Sequence, residues 1–164
     1  MSGQRRGTTI DGATIHESPL NDMRPETLYS VLGLRVDVFV VEQRCAYPEL
    51  DGRDLDPGAI LLWAERAGDV VATMRLVPES DGAMRIGRVA TASSARSGGL
   101  AGELIRRALA LAGPRDVVLD AQSRLEGWYS SFGFVRCGDD FTEDGIRHVP
   151  MLRRARQPAP QPPA

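Results

Sequence analysis

Apolar and polar positions alternate with two different periods between about residue 13 and residue 154. Residues 60–66 and 70–77 are extended runs rich in Leu, Val, Trp and Ile, joined by Ala67-Gly68-Asp69, which is the composition of a hairpin turn. A second turn at 78–82 leads into a strand over 84–91, so three consecutive strands form a meander. A shorter strand is expected near 13–16. Between these, Pro25 stands well as the first residue of a helix, and Leu28, Leu32, Val36 and Phe39 supply a 3.6-period stripe running to about Gln43. Arg24 occupies its N-cap, where Ser, Thr or Asp would be preferred.

Beyond the meander, Leu100, Leu104, Ile105, Ala108 and Leu109 mark one buried face of a second helix, ended by Gly113-Pro114. Residues 117–121 read as a buried strand, giving a parallel strand, helix, strand unit. A short helix is expected from about Arg124 to Gly133, followed by closing strands at 134–137 and 148–153 around a polar loop, 139–145. This order describes an α/β (α+β) layer fold.

Length and charge narrow the function classes. A chain of 164 residues with 42% hydrophobic residues and a formal charge of −2 fits one ordinary domain and argues against a basic nucleic-acid binder. All twenty basic residues are arginines. No apolar run is long enough to span a membrane and the N-terminus has no signal-like apolar segment, so a cytoplasmic protein is expected. Cys45 and Cys137 are read as free thiols, and with only His16 and His148 beside them no metal site is expected. Residues 1–12 and 155–164, the latter Pro-rich, are expected to be disordered tails around a domain at 13–154.

The loop at 44–58 carries Glu49, Asp51, Asp54 and Asp56, in a spacing that does not fit an EF-hand. It reads either as a solvated loop or as a substrate-facing loop that attracts a cationic amine.

The most legible chemistry lies after the strand at 84–91, where Arg96-Ser97-Gly98-Gly99-Leu100-Ala101 opens the second helix. Glycines let the backbone approach a ligand, and the free N–H groups at a helix N-terminus attract a pyrophosphate. Neither a P-loop nor a G-x-G-x-x-G is present. What remains, R-x-x-G-x-A filled by Arg96, Gly99 and Ala101, resembles the acetyl-CoA pyrophosphate loop of the GNAT superfamily of N-acetyltransferases. Trp128-Tyr129 with Phe132-Gly133-Phe134 resembles that family's second patch. The stretches 38–43, 51–52, 86–89, 120–122 and 143–146 with His148 look like its ElaA-type branch.

The resemblance implies a GNAT fold: a mixed, mostly antiparallel sheet of six to seven strands flanked by helices, with the fourth and fifth strands parallel and splayed. It implies transfer of an acetyl group from acetyl-CoA to a small-molecule or peptide amine in a ternary complex, without a metal, and it allows a homodimer. Backbone groups of Val89, Ala90 and Thr91 would hold the pantetheine arm, Arg96, Ser97, Gly98, Gly99, Leu100 and Ala101 the pyrophosphate. Gln122 falls where many members carry a cofactor-contacting Asn, and Tyr129 matches the general acid that protonates the departing thiolate. Candidates for the general base are Glu42, then Asp51, then His148, while a salt bridge from Glu42 to Arg88 or Arg44 would account for it equally well. Arg88 either anchors an acceptor carboxylate or pairs with Glu42. Two other readings stay open, a CoA-binding regulatory or interaction module and an acyltransferase using a longer acyl donor.

Overall fold

The computed structural model describes residues 8–156; the expected tail positions 1–7 and 157–164 lie outside the described residues. Among the described residues nine strands form one sheet in the order β1-β2-β3-β4-β5-β6-β9-β7, with β8 pairing β9. The strands are β1 (Thr9–Ile10), β2 (Ala13–Ser18), β3 (Ile60–Arg66), β4 (Asp69–Pro78), β5 (Met84–Thr91), β6 (Val117–Gln122), β7 (Val135–Arg136), β8 (Phe141–Glu143) and β9 (Ile146–Arg153). All pairings are antiparallel except β5 with β6. The count exceeds the expected six to seven because β1 and β8 are two- and three-residue pairings too short to show a period. β1 falls within the expected N-terminal tail, and β8 converts the expected polar loop at 139–145 into a hairpin with β9.

β3 and β4 are buried along most of their length because helices cover both faces of the sheet. Leu62, Ala64, Met74, Leu76 and Ile86 pack in one core with Leu100, Leu104, Ile105 and Ala108 of α2 (Leu100–Ala112). The opposite face carries Trp63, Thr73 and Arg75 beneath α1 (Pro25–Arg35). The α2 face is the one its apolar spacing predicted. A third helix, α3 (Glu126–Ser130), follows a 3-10 turn at Ser123–Leu125 and ends in turns reaching Gly133 at φ +90°.

The expected stripe on α1 needs correction. The buried positions are Val31, Leu34, Arg35 and Val38, whereas Val36 is exposed. The stripe is displaced because its true face contains a charged residue, and because the helix continues as a π-helical segment, Val36–Glu42, that alters the phase by one residue per turn. Arg24 caps the helix with no side-chain hydrogen bond.

Arg35 explains the acid-rich loop. Its guanidinium is 1% exposed and donates to Glu49 at 2.6 Å and to Asp54 at 2.6 and 3.1 Å. Glu49 and Asp54 are therefore buried ion-pair partners, against the expectation of a solvated loop. Removing one member of such a set leaves an uncompensated buried charge, typically costing about 3–5 kcal/mol. The loop is fastened to α1 by charge, in a region with few apolar anchors. Both cysteines are free, Cys45 buried and Cys137 exposed. Among the described residues no helix is long and apolar enough to cross a membrane.

Candidate functional site

The site begins where two parallel strands part. β5 and β6 are in register only at Met84↔Val117 and Arg85↔Val118. β6 then remains paired with β9 as far as Gln122↔His148, while β5 remains paired with β4 as far as Thr91↔Ala72. The edge of β5 from Ile86 onward thus faces a gap, and its outward backbone groups have no strand partner there.

A bulge sits in the middle of this open edge. Thr73 pairs with Ala90 but Arg75 pairs with Gly87, so Arg88 and Val89 together oppose Met74, and Arg88 adopts φ +53°. The extra residue exchanges the faces: Ile86 packs on the α2 side, whereas Ala90 packs with Leu34 and Val38 of the first helical stretch. It also turns successive backbone groups of β5 out of the regular ladder at the point where the gap opens.

The second part is the loop into α2. Ser97 and Gly99 both have positive φ, +69° and +77°, and Gly99 is the helix N-cap with no side-chain cap. Among the described residues the N–H groups of Leu100, Ala101 and Gly102 have no acceptor. They point from the positive end of the helix dipole, an arrangement suited to an anion. Gly98 lies against the β1–β2 turn: a Cβ there would stand 2.2 Å from Asp11 Oδ2, the end of a half-exposed side chain that can swing aside. Arg96 donates to the Thr91 carbonyl at 3.2 Å and in bidentate fashion to Glu42 at 2.6 and 2.7 Å.

That last contact decides the status of Glu42. It pairs with Arg96, not with Arg88 or Arg44, and the hydrogen bonds and charge of Arg96 hold its carboxyl below the usual carboxylate range. A carboxylate so held accepts a proton poorly.

The third part is α3 and the strand ends beside it. Tyr129 is buried, its ring edge-on to Trp128 at 4.8 Å and to Phe134 at 6.1 Å. Among the described residues its hydroxyl has no side-chain or backbone partner, and burial pushes the phenol up to about 12, opposed only by the charge of Arg124. It is therefore a protonated phenol with a hydroxyl left for something else. Gln122 donates to Gln43 Oε1 at 3.3 Å and accepts from Arg124 at 3.0 Å. His148, opposite Gln122 on β9, has Nδ1 2.8 Å from the Ile146 carbonyl and its ring stacked on Phe141 at 5.5 Å.

The remaining wall is built from charge pairs. Asp51 accepts from Arg75 at 2.7 and 2.9 Å and from Arg88 at 3.2 Å. Burial pushes the Asp51 carboxyl up, but the Arg75 bonds, the Arg53 N–H and the charges of Arg75 and Arg88 bring it well below the carboxylate range. Arg88 also reaches the Glu49 carbonyl at 3.2 Å and lies over the Tyr47 ring at 5.4 Å, while Tyr47 donates to Glu49. Arg35, Arg75 and Arg88 are thus matched by Glu49, Asp51 and Asp54. The expected pairing of Arg88 with Glu42 is corrected: Arg88 pairs with Glu49 and Asp51.

One cavity of about 940 Å³ joins all three parts. It is lined by Val89, Ala90, Thr91, Arg96, Ser97, Gly99, Leu100, Ala101, Gln122, Tyr129 and Glu42, so of the expected site residues only Gly98 stands outside it, turned towards Asp11. Asp51 and His148 line it as well. The sequence reading missed Arg106, which lines the cavity from α2 with its guanidinium over Phe132 at 5.5 Å, and Arg124 at the start of α3. Arg106 lies seven positions after Gly99, two helical turns, the spacing that returns a side chain to the face of the loop. It also missed Arg35, whose charge in an otherwise apolar stripe was the available signal.

A cavity with an unpaired strand edge, an uncapped helix N-terminus and a protonated phenol can align an extended anionic thioester and protonate its leaving group. The profile of the acetyltransferase (GNAT) domain matches residues 21–154. The chain is 48% identical over 136 residues to a UPF0039 protein of Mycobacterium tuberculosis, covering 80% of this chain and 87% of that one. It is 35% identical over 156 residues to protein ElaA of Escherichia coli, covering 90% and 99%. Among solved structures, an acyl-CoA N-acyltransferase from Pseudomonas aeruginosa superposes with a TM-score of 0.82 at 38% identity, covering 86% of this chain and 99% of that one. Escherichia coli ElaA superposes with 0.81 at 30% identity, covering 87% and 99%. The strand splay, the loop into α2 and the matched profile agree, and the chain belongs to the GNAT acetyltransferase family.

Proposed function

We propose that this protein transfers an acetyl group from acetyl-CoA to the nitrogen of an amine, small molecule or peptide, by direct attack within a ternary complex. The observation that carries the reading is the single cavity in which the Tyr129 hydroxyl shares a space with the open edge of β5 and the uncapped start of α2.

The roles follow from the groups present. Backbone groups of Val89, Ala90 and Thr91 add an extended pantetheine arm to β5 as a further strand would be added. Arg96 to Ala101 hold the pyrophosphate through helix N–H groups and the Arg96 guanidinium, except for Gly98, which lies against Asp11. Arg106 and Arg124 add positive charge to the cavity wall. Gln122, held by Gln43 and Arg124, stands at the end of β6 where the splay is widest. The bulge at Arg88 aims the β5 backbone at the thioester carbonyl, and Tyr129 protonates the departing sulfur. No covalent enzyme intermediate is invoked: the Cys45 thiol is directed at the carbonyls of Gln43 and Asp144. The solved relative from Pseudomonas aeruginosa, described as an acyl-CoA N-acyltransferase, supports the reaction class.

Titration calorimetry with acetyl-CoA tests the reading, repeated on Gly99→Glu, which puts bulk and negative charge at the helix start, and on Arg96→Ala, which leaves the φ +77° position intact. Micromolar binding that is lost in the first variant and weakened in the second, with unchanged circular dichroism, is the expected result. Absence of binding to the folded parent protein would overturn it, and binding without turnover of any amine would favour a CoA-binding module.

A further inference from the structure

An amine acceptor reaches neutral solution as an ammonium and must lose a proton before it can attack, so the site needs a base. Two of the three sequence candidates are tied up. Glu42 is held by both terminal nitrogens of Arg96, and Asp51 by Arg75 and Arg88. Of the other carboxylates lining the cavity, Asp120 is held by Arg85 at 3.0 Å, while Glu143 and Asp144 carry no cation among the described residues, a free carboxylate being a weaker base than an imidazole.

His148 is free in the sense that matters. Its Nδ1 lies 2.8 Å from the Ile146 carbonyl oxygen, and a carbonyl can only accept, so Nδ1 carries the hydrogen. In the neutral ring the other nitrogen, Nε2, is then the one without a hydrogen, with its lone pair available. Among the described residues Nε2 has no hydrogen-bond partner, and His148 lines the cavity that contains Tyr129. The ring is fixed in orientation by the Ile146 bond and by stacking on Phe141 of β8. Gln122 faces it from β6, and the β8–β9 turn beside it carries Glu143 and Asp144, the latter pinned through its carbonyl by the Cys45 thiol at 3.4 Å. Fixed tautomer, open lone pair and fixed ring plane are what general-base catalysis requires of an imidazole.

We propose that His148 is the general base of this site, taking the first proton from the acceptor ammonium through Nε2. This rests on the transferase reading above. In the step, Nε2 accepts one proton and releases it to solvent, and the freed nitrogen forms the C–N bond as the C–S bond breaks. Tyr129 gives its proton to the sulfur, and the second proton shed by the nitrogen restores the phenol through water. The two protons lost on converting an ammonium to an amide are thereby accounted for, one to solvent and one to the thiol.

The test compares two probe nucleophiles, n-butylamine, which is almost wholly protonated at neutral pH, and hydroxylamine, which is largely unprotonated and needs no base. Free thiol released from acetyl-CoA is followed for the parent protein and for His148→Gln. The expected result is a loss of about 100-fold or more with n-butylamine, a change within about threefold with hydroxylamine, and acetyl-CoA affinity within about twofold. Equal losses with both probes, or no loss with n-butylamine, would overturn the assignment. Independently of turnover, long-range proton–nitrogen NMR of the parent protein reads the tautomer, with His16→Gln resolving the two histidines. A hydrogen on Nδ1 is expected, and a neutral ring carrying it on Nε2 would overturn the proposal. If the parent bound acetyl-CoA yet released thiol with neither probe, the transferase reading would fail and this one with it, an outcome distinct from a defect confined to the variant.

Discussion

Glu42 and Arg96 face each other across the cavity mouth in a bidentate pair, 2.6 and 2.7 Å, that joins the end of the first helical stretch to the loop preceding α2. The two residues lie 54 positions apart in sequence. Arg96 is the side chain assigned to a pyrophosphate, so the pair places a protein carboxylate where a phosphate oxygen would compete for the same fork.

That competition has a measurable consequence. Both side chains are roughly half exposed, so the pair itself contributes little to stability. Glu42→Gln should therefore leave the melting temperature unchanged while tightening acetyl-CoA binding by about two- to fivefold, and Arg96→Ala should weaken it by about tenfold or more. Calorimetry on the two variants checks the opposite signs; a loss of affinity in Glu42→Gln would mean that the carboxylate assists binding.

Tyr129→Phe separates catalysis from packing. The ring keeps its edge contacts to Trp128 and Phe134, and the hydroxyl has no protein partner to leave unsatisfied, so stability should change by less than about 1 kcal/mol. Turnover should fall by about 10²- to 10⁴-fold with acetyl-CoA affinity retained. Because burial raises the phenol to about 12, folding favours its protonated form. The corresponding stability is complete below the ordinary tyrosine value of about 10 and is lost as pH rises towards about 12. Ionisation of Tyr129 should accordingly cause no loss of activity between neutrality and pH about 10, which a pH–rate profile checks.

The buried charge set under α1 should behave as a unit. Arg35→Met takes from Glu49 and Asp54 their shared buried cation, leaving Glu49 to Arg88 and Asp54 to Arg75, and should cost about 3–5 kcal/mol, measured by urea unfolding. Combining it with Glu49→Gln and Asp54→Asn should recover part of the loss, since the excess buried negative charge is then removed. Simple additivity of the three substitutions would contradict a coupled network.

Asp51 sets the acid limit of the same wall. Its carboxyl is held well below the ordinary range by Arg75 and Arg88 despite its burial, so its contribution to stability is present above the ordinary carboxylate value and is lost only as pH falls through the depressed one. The melting temperature should stay nearly flat through mild acid and drop steeply below pH about 3, and Asp51→Asn should flatten that drop.

Local patterns carried the strands, α2, the loop at Arg96 to Ala101 and Tyr129, because each is written in a contiguous stretch whose period or spacing needs no distant partner. The face of α1 was misread for a reason that is equally physical. Arg35 occupies a core position by pairing with Glu49 and Asp54, residues 14 and 19 positions away, and a hydrophobic pattern has no means of scoring a buried charge that is neutralised at that range. The loop at 44–58 was legible as acidic, but whether those acids meet water or arginine was not.

For the same reason the sequence ordered three candidate bases, Glu42 before Asp51 before His148, without sight of their partners. Glu42, Asp51 and His148 are all chemically able, and the difference among them is which is already engaged: Arg96, Arg75 and Arg88 come from β-strands and loops remote in the chain. Sequence alone determined the family, the order of most elements and the position of the glycine loop that opens α2, since these rest on short-range backbone preferences and residue types. Tertiary structure decided the parting of β5 from β6 and which arginines hold Glu42 and Asp51, because each depends on two segments that only folding brings to within hydrogen-bonding distance.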